Sequence, residues 1–425
     1  MSNIIKRQAY LEQLSRWRDQ EIIKVVTGVR RCGKSTLLNL YIEQLKAEGV
    51  ADEQIVYVHL DDQDYSELLD YKKLHKYIKA RILADKWTYV FIDEVQECNE
   101  YERALSSLYL KPKVDIYITG SNAHLLSGEL ATKLTGRYVE IGILPLSFTE
   151  YREAVDIARK ETAVGKLSFF DVVDYREAVD ISDSRERFSQ YVNLGGFPYA
   201  ARFIDNSLAH SQYLDGIYNT VLIKDVMARK KLTDVTLLKS IAAFLSSNIG
   251  SPVSAKKIAD TLASGGRPTG TATVDTYLEA LTESYLFYRV QRYDIKGKMH
   301  LKSEGKYYIC DTGLRNMILG TTNKDVGHQI ENIVFLELLH RGYTVNIGKS
   351  GRGTEIDFVA TRNKQTEYYQ ISASVLDENT LERELTPLEN IRDNYPKYLI
   401  TLDAFSGDHN GIDQINLIEW LQKPK

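Results

Sequence analysis

The chain has 425 residues, 43% of them hydrophobic, too many for one ordinary core, so two or three domains are expected. With 54 Lys and Arg against 58 Asp and Glu, the net charge is −4. This excludes a global basic field, so nucleic acid would have to be met by a local patch. Cys32, Cys98 and Cys310 are too scattered for a disulfide framework or a zinc site. No apolar run approaches a membrane span and the start lacks an apolar leader, so we expect a cytoplasmic protein with no membrane partner.

Residues 1–20 read as a helix leading into the strand Ile22-Ile23-Lys24-Val25-Val26. Next comes Gly28-Val29-Arg30-Arg31-Cys32-Gly33-Lys34-Ser35, which spells G-x-x-x-x-G-K-S. Residues 36–48 follow as an amphipathic helix with Leu37, Leu38, Tyr41 and Leu45 at helical spacing. Strand, glycine-rich turn and helix together make a phosphate cradle, because turn N–H groups and the helix N-terminus both favour an anion. The expected nucleotide-binding residues are Gly28, Arg30, Arg31, Cys32, Gly33, Lys34, Ser35 and Thr36. Lys34 would reach the β- and γ-phosphates and the Ser35 hydroxyl would ligate Mg²⁺. A thiol at Cys32 suggests that oxidation or alkylation there blocks the site.

A second strand over 55–60 ends in Asp61-Asp62, and 66–85 reads as a helix. The strand at 87–92 ends in Asp93-Glu94. Asp93 would hold Mg²⁺ and Glu94 would take a proton from the attacking water. The strand at 114–118 runs into Thr119-Gly120-Ser121-Asn122. Ser121 and Asn122 are candidates to sense a γ-phosphate, or simply to cap the next helix. Arg137 is a candidate γ-phosphate arginine, in cis or across a subunit interface, or else an ordinary surface arginine. A strand at 138–143 ends the module near Pro145. Strands alternating with helices imply a parallel sheet covered on both faces.

Tyr151-Arg152-Glu153-Ala154-Val155-Asp156-Ile157 recurs identically at 175–181, as expected of a tandem duplication in a surface helix or loop. Residues 185–232 read as helical, broken at Leu194-Gly195-Gly196-Phe197-Pro198. From 235 to 310 the order is helix, helix, helix, hairpin, the order of a winged helix. Its hairpin offers Arg289, Arg292, Lys296, Lys298 and Lys302 as candidate DNA contacts. The same lysines also suit a protein-contact module with a protected sheet edge.

From 328 onward a helix holding Glu331 is followed by strands at 343–347, 355–360 and 368–372, then a helix and a further strand. An acid on the helix, an Asp on a strand and an acid-x-Lys on the next strand would make a metal-dependent nuclease. Glu331 and Asp357 fit that pattern. The third position reads Gln370-Ile371-Ser372, lacking both the acid and the lysine, which points to a degenerate site formed by Glu331, Asp357 and Gln370.

The P-loop with Arg30-Arg31, Ile92-Asp93-Glu94-Val95-Gln96, Thr119-Gly120-Ser121-Asn122, Gly136-Arg137, Leu144-Pro145-Leu146-Ser147-Phe148, Gly195-Gly196-Phe197-Pro198, Asp311-Thr312-Gly313-Leu314 and Glu331-Asn332 together resemble prokaryotic AAA-type P-loop ATPases of the AAA_14/DUF4143 group. The resemblance implies an α/β chain with a P-loop NTPase (AAA-like) parallel-sheet domain at 1–150, and the chain's own pattern sets a helical linker with the duplication at 151–234. It further implies a winged-helix-like domain at 235–322 and a degenerate restriction-endonuclease-like α/β domain at 323–425. The expected activity is Mg²⁺-dependent ATP hydrolysis, with Glu94, Lys34, Asn122 and Arg137 as catalytic residues and Ser35 and Asp93 as Mg²⁺ ligands. Nucleotide state would control the C-terminal module, with double-stranded DNA or a protein as partner and an oligomer as one form. Two other readings stand beside this one: a switch acting on a protein without nucleic acid, and an ATP-regulated nuclease. The duplicated segment departs from the family pattern.

Overall fold

The computed structural model describes residues 4–123, 134–164, 181–297, 299–320, 325–349 and 354–423. They form two compact units. One comprises residues up to 145 together with 283–285, and the other comprises 146–282 and 286 onward. The second copy of the duplicated heptad lies, but for its last residue, outside the described residues.

The first unit runs α1 (Gln8–Arg16), β1 (Ile23–Thr27), α2 (Lys34–Ala47), β2 (Ile55–His59), α3 (Tyr71–Lys79), β3 (Thr88–Asp93), α4 (Tyr101–Tyr109), β4 (Val114–Gly120) and β5 (Tyr138–Gly142). Its sheet has the order β2-β3-β4-β1-β5, and every pairing is parallel. The three middle strands are buried at every position, as a parallel sheet covered on both faces requires. Ile23, Val25, Val90, Ile92, Ile116 and Ile118 pack with Leu74, Ile78, Leu105 and Leu108 of the helices. Each such side chain contributes about 1.5–3 kcal/mol of burial. One ion pair sits inside this core. Lys24 Nζ meets Asp115, both side chains fully buried, and Tyr117 donates to Asp115 at 2.8 Å. Burial pushes the Lys24 amine down and the Asp115 carboxyl up, while each partner pulls the other back.

Residues 283–285 complete this unit although they lie far along the chain. The Ala123 N–H donates to the Glu283 carbonyl at 2.8 Å. The Tyr285 hydroxyl donates to Glu140 Oε1 at 3.1 Å, and the same oxygen accepts from the Thr27 hydroxyl at 2.7 Å.

The second unit begins with α5 (Phe148–Val164), α6 (Ile181–Leu194) and α7 (Ser207–Thr220). It continues with α8 (Val235–Ser247), β6 (Pro252–Val253), α9 (Ala255–Ser264), α10 (Thr271–Glu283), β7 (Phe287–Asp294), β8 (Met299–Ile309), α11 (Thr312–Leu319) and α12 (Val326–His340). Then come β9 (Thr344–Lys349), β10 (Glu355–Arg362), β11 (Gln365–Ile371), α13 (Glu378–Glu389), β12 (Lys397–Thr401), β13 (Gly407–Asp408), β14 (Asp413–Asn416) and α14 (Leu417–Gln422). One sheet of nine strands holds them in the order β13-β14-β12-β11-β10-β9-β7-β8-β6.

That order runs across the expected division at 322/323. β7 of the helix-and-hairpin segment pairs in parallel with β9 of the C-terminal segment, Arg292 opposite Ile347. The outer edge of β7 would otherwise leave a row of unpaired N–H and C=O groups, and β9 satisfies them. The linker, hairpin and C-terminal segments therefore fold as one unit.

The Gly195-Gly196 and Asp311-Gly313 motifs meet inside it. Asp311 accepts from the Gly196 N–H at 2.6 Å and the Leu314 N–H at 2.8 Å, tying the end of α6 to the start of α11. A Cβ on Gly313 would lie 2.0 Å from the Leu194 carbonyl oxygen, which is backbone and cannot swing aside. Gly313→Ala is therefore expected to destabilise the second unit by about 3 kcal/mol. Thermal melting followed by circular dichroism tests this, and a profile matching the parent would refute the close approach.

Candidate nucleotide site and a second acidic cluster

The G-x-x-x-x-G-K-S segment forms the turn between β1 and α2. Gly28 has φ 145° and Gly33 has φ 105°, with Arg31 also left-handed at 69°. A Cβ on Gly28 would stand 2.1 Å from the Ile143 carbonyl oxygen, so only glycine fits there. No side chain caps the N-terminus of α2, which leaves the first-turn N–H groups to face an anion. Lys34 is buried, and its Nζ donates to the carbonyls of Gly28 at 3.0 Å and Val29 at 3.3 Å. Ser35 is half-buried at the start of the helix, while Arg31 and Thr36 are exposed. Arg7 fixes the turn from outside it, and no local pattern marks this residue. Its guanidinium donates to the carbonyls of Cys32 at 3.1 Å and Leu144 at 2.8 Å.

The Cys32 thiol is fully buried, and burial pushes it up. Cys32 serves the turn through its backbone.

Asp93 ends β3 fully buried, and Glu94 follows with a left-handed φ of 52°. Thr119, from the neighbouring β4, holds both acids. Its hydroxyl donates to Asp93 Oδ1 and accepts from the Glu94 N–H at 2.9 Å. Tyr57 of β2 donates to Asp93 Oδ2 at 3.2 Å, with His59 Nε2 at 3.7 Å from the same oxygen. Burial and the Asp93 charge keep the Tyr57 phenol neutral. Gln96 Nε2 donates to Glu94 Oε2. Sequence reading named Thr119 and Gln96 within motifs but gave them no role, and it missed Tyr57, for which the alternation of β2 was the signal available.

Ser121 and Asn122 are both buried just past the end of β4, the strand between β1 and β3. Arg137 is not brought to this end of the sheet. β5 runs parallel to β1 with Tyr138 opposite Ile23, and the Ile23 N–H donates to the Arg137 carbonyl at 2.9 Å. The residue therefore sits where the strands begin, about 13 Å along β1 from the turn. Its exposed guanidinium lies over the Tyr109 ring at 5.2 Å.

In the second unit Glu331 and Asp357 do converge, with Gln370 beside them. The Asp357 N–H donates to Gln370 Oε1 at 3.4 Å, and Gln370 Nε2 donates to Glu384 at 2.8 Å. A lysine is also present, from a strand other than the third. Lys306 of β8 places Nζ 3.2 Å from Glu331, 3.0 Å from Glu355 and 3.8 Å from Asp357. Tyr308 adds a 2.6 Å hydrogen bond to Glu331. These carboxylates hold the Lys306 amine protonated above the ordinary lysine range. Burial, then the Glu331 charge, pushes the Asp357 carboxyl up to about 7. Among the described residues no group of three or more His, Cys, Asp or Glu is arranged to hold a metal ion.

The candidate DNA contacts are divided. Arg289 and Lys296 are exposed, whereas Arg292 is committed to Glu355 at 3.1 Å. Lys298 and the side chain of Lys302 lie outside the described residues. No helix among the described residues is long and apolar enough to cross a membrane.

Residues 20–152 match the AAA domain family AAA_14, and residues 185–325 match a domain of unknown function, DUF8612, rather than DUF4143. A Walker-type ATPase of Pyrococcus abyssi superposes with a TM-score of 0.51 at 15% identity, covering 75% of this chain and 96% of that one, a likeness of fold. An uncharacterized protein of Methanocaldococcus jannaschii is 26% identical over 93% of this chain and 84% of its own length. An uncharacterized protein of Haemophilus influenzae is 38% identical over 98% of both chains. This protein belongs to the same family as that Haemophilus influenzae protein, and it carries an AAA domain of the P-loop ATPase fold.

Proposed function

We propose that this protein binds ATP with Mg²⁺ and hydrolyses it, and that the nucleotide state acts on the second unit. The observation that carries the reading is the uncapped, glycine-shaped turn at 28–35 in the same sheet as an Asp93-Glu94 pair held by Thr119. The donor set fits the metal: Ser35 and Asp93 offer the hard oxygens that Mg²⁺ prefers. When bound, Mg²⁺ neutralises charge on the β- and γ-phosphates. Lys34 would exchange its two carbonyl partners for phosphate oxygens. Glu94 would take the proton of the attacking water as that oxygen bonds to the γ-phosphorus and the bridging oxygen leaves with ADP. Thr119 and Tyr57 fix the Asp93 carboxylate, and Asn122 supplies a polar amide at the strand tip.

For the second unit we infer a winged-helix-like arrangement of α8, β6, α9, α10, β7 and β8. β6 pairs with β8 as the short first strand of that fold does with its wing. Arg289 and Lys296 then offer phosphate contacts for double-stranded DNA. The C-terminal α/β part is read as nuclease-like and degenerate, because the Lys306 ammonium already balances the carboxylates that would hold a metal.

The test is the steady-state ATPase rate, titrated with double-stranded DNA at low and moderate salt, with Lys34→Ala as the blank. We expect a rate that Lys34→Ala abolishes and that DNA raises, the stimulation fading as salt increases. A rate equal to the Lys34→Ala blank would sink the ATPase reading. A rate indifferent to DNA would sink the DNA coupling and favour a protein partner.

A further inference from the structure

Beside the core cluster that packs α13 against β10 and β11 lies a cleft of about 520 Å³. That is within the usual size of a small-molecule site, about 300–1,000 Å³, and roomier than one amino-acid side chain needs. Its walls include Tyr293, Thr361, Tyr368, Asp393, Asn394 and Tyr395. Asp393 is the one formal charge among the described lining residues, and from outside the lining Lys397 Nζ donates to its backbone carbonyl at 3.3 Å. The Tyr368 and Tyr395 rings stand 6.4 Å apart, and Tyr395 is 43% exposed, which leaves aromatic surface open to a flat guest.

The carboxylate is held in place. The Tyr368 hydroxyl donates to Asp393 Oδ2 at 2.7 Å and the Tyr395 N–H to Oδ1 at 3.2 Å. A carboxylate has about four acceptor directions, so each oxygen keeps capacity for a further donor. The cleft suits a flat group that donates two hydrogen bonds inward to this carboxylate.

We propose that this cleft binds a guanine base. Among the common bases, guanine alone offers two adjacent donors, N1–H and the exocyclic N2–H, to one carboxylate. Adenine and cytosine set a ring acceptor beside their amino group, and uracil flanks its single N–H with carbonyls, so each meets Asp393 with a repulsive contact. The exposed face of Tyr395 stacks on the base. The guanine comes either from a free nucleotide or from an unpaired position in a nucleic-acid strand.

The site lies within the second unit and does not depend on ATP hydrolysis. The test uses full-length protein carrying Lys34→Ala, which removes binding at the P-loop. Guanosine 5′-monophosphate and adenosine 5′-monophosphate are titrated by calorimetry, followed by single-stranded oligoadenylates with and without one central guanine. At least tenfold preference for guanine is expected. Asp393→Asn should erase it, a loss of about 10- to 100-fold for a bidentate base contact. Tyr395→Ala, at an exposed position, should weaken both mononucleotides alike by loss of stacking. Tighter binding of the guanine oligonucleotide than of the mononucleotide assigns the strand as source, and the reverse assigns the free nucleotide. Equal affinity for the two mononucleotides in the Asp393 protein, or no binding of any guanine probe, overturns the proposal.

Discussion

Glu94→Gln is expected to lower the steady-state ATP hydrolysis rate by about 10²–10⁴-fold, the range for loss of a positioned general base. Nucleotide affinity should stay at the parent value, because the cradle at 28–35 is untouched. Lys34→Ala should do the reverse and lose nucleotide binding itself. The geometry argues for this separation. Glu94 projects from a left-handed residue directly after β3, its N–H fixed by Thr119 and its carboxylate met by Gln96. The glutamine keeps the shape and hydrogen-bonding reach of that side chain but cannot accept a proton. Single-turnover hydrolysis together with a fluorescent-nucleotide titration measures both quantities. Turnover at the parent rate in Glu94→Gln would remove this residue from its assigned role.

Lys306→Met is expected to cost the second unit about 3–5 kcal/mol, since removing one partner leaves buried carboxylates uncompensated. The melting transition should fall on the order of 10 °C. The pH dependence separates charge from packing. The Lys306 amine is raised, so its contribution is present below the ordinary lysine range and lost above it. Glu331 is lowered, chiefly by Lys306 acting against burial, so its contribution is present above its ordinary range and lost as pH falls. Asp357 is pushed up to about 7, so its contribution is present below the ordinary aspartate range and lost as pH rises through about 7. In Lys306→Met the deficit should therefore be largest near neutral pH and shrink on acidification, as Glu331 and Asp357 take up protons. A deficit equal at every pH would assign Lys306 to packing alone.

What could be read from the sequence was what is local. The glycine spacing at 28–35 and the apolar run into Asp93-Glu94 are contiguous, and both fold as strand ends beside turns. What could not be read depends on distant partners. Lys306 meets Glu331 from 25 positions away on a strand assigned to another module, so no contiguous pattern placed it beside the acids. Thr119 reaches Asp93 across 26 positions. The arginine at 137 was placed by its neighbours in sequence, but which end of β5 faces the nucleotide turn is settled only by the register with β1. The pairing of β7 with β9 had no sequence signal, because any hydrophobic strand with an open edge could have taken that place.

The return of residues 283–285 to the first unit makes that unit discontinuous. A gene fragment ending at 145 would encode the turn and both acids but would omit the tyrosine whose hydroxyl shares Glu140 with Thr27, the last residue before the turn. The AAA part is thus not a cassette that can be excised or grafted by one cut. Recombination that exchanged the second half of the gene would also replace a piece of the first unit, so the two halves are under pressure to be inherited together.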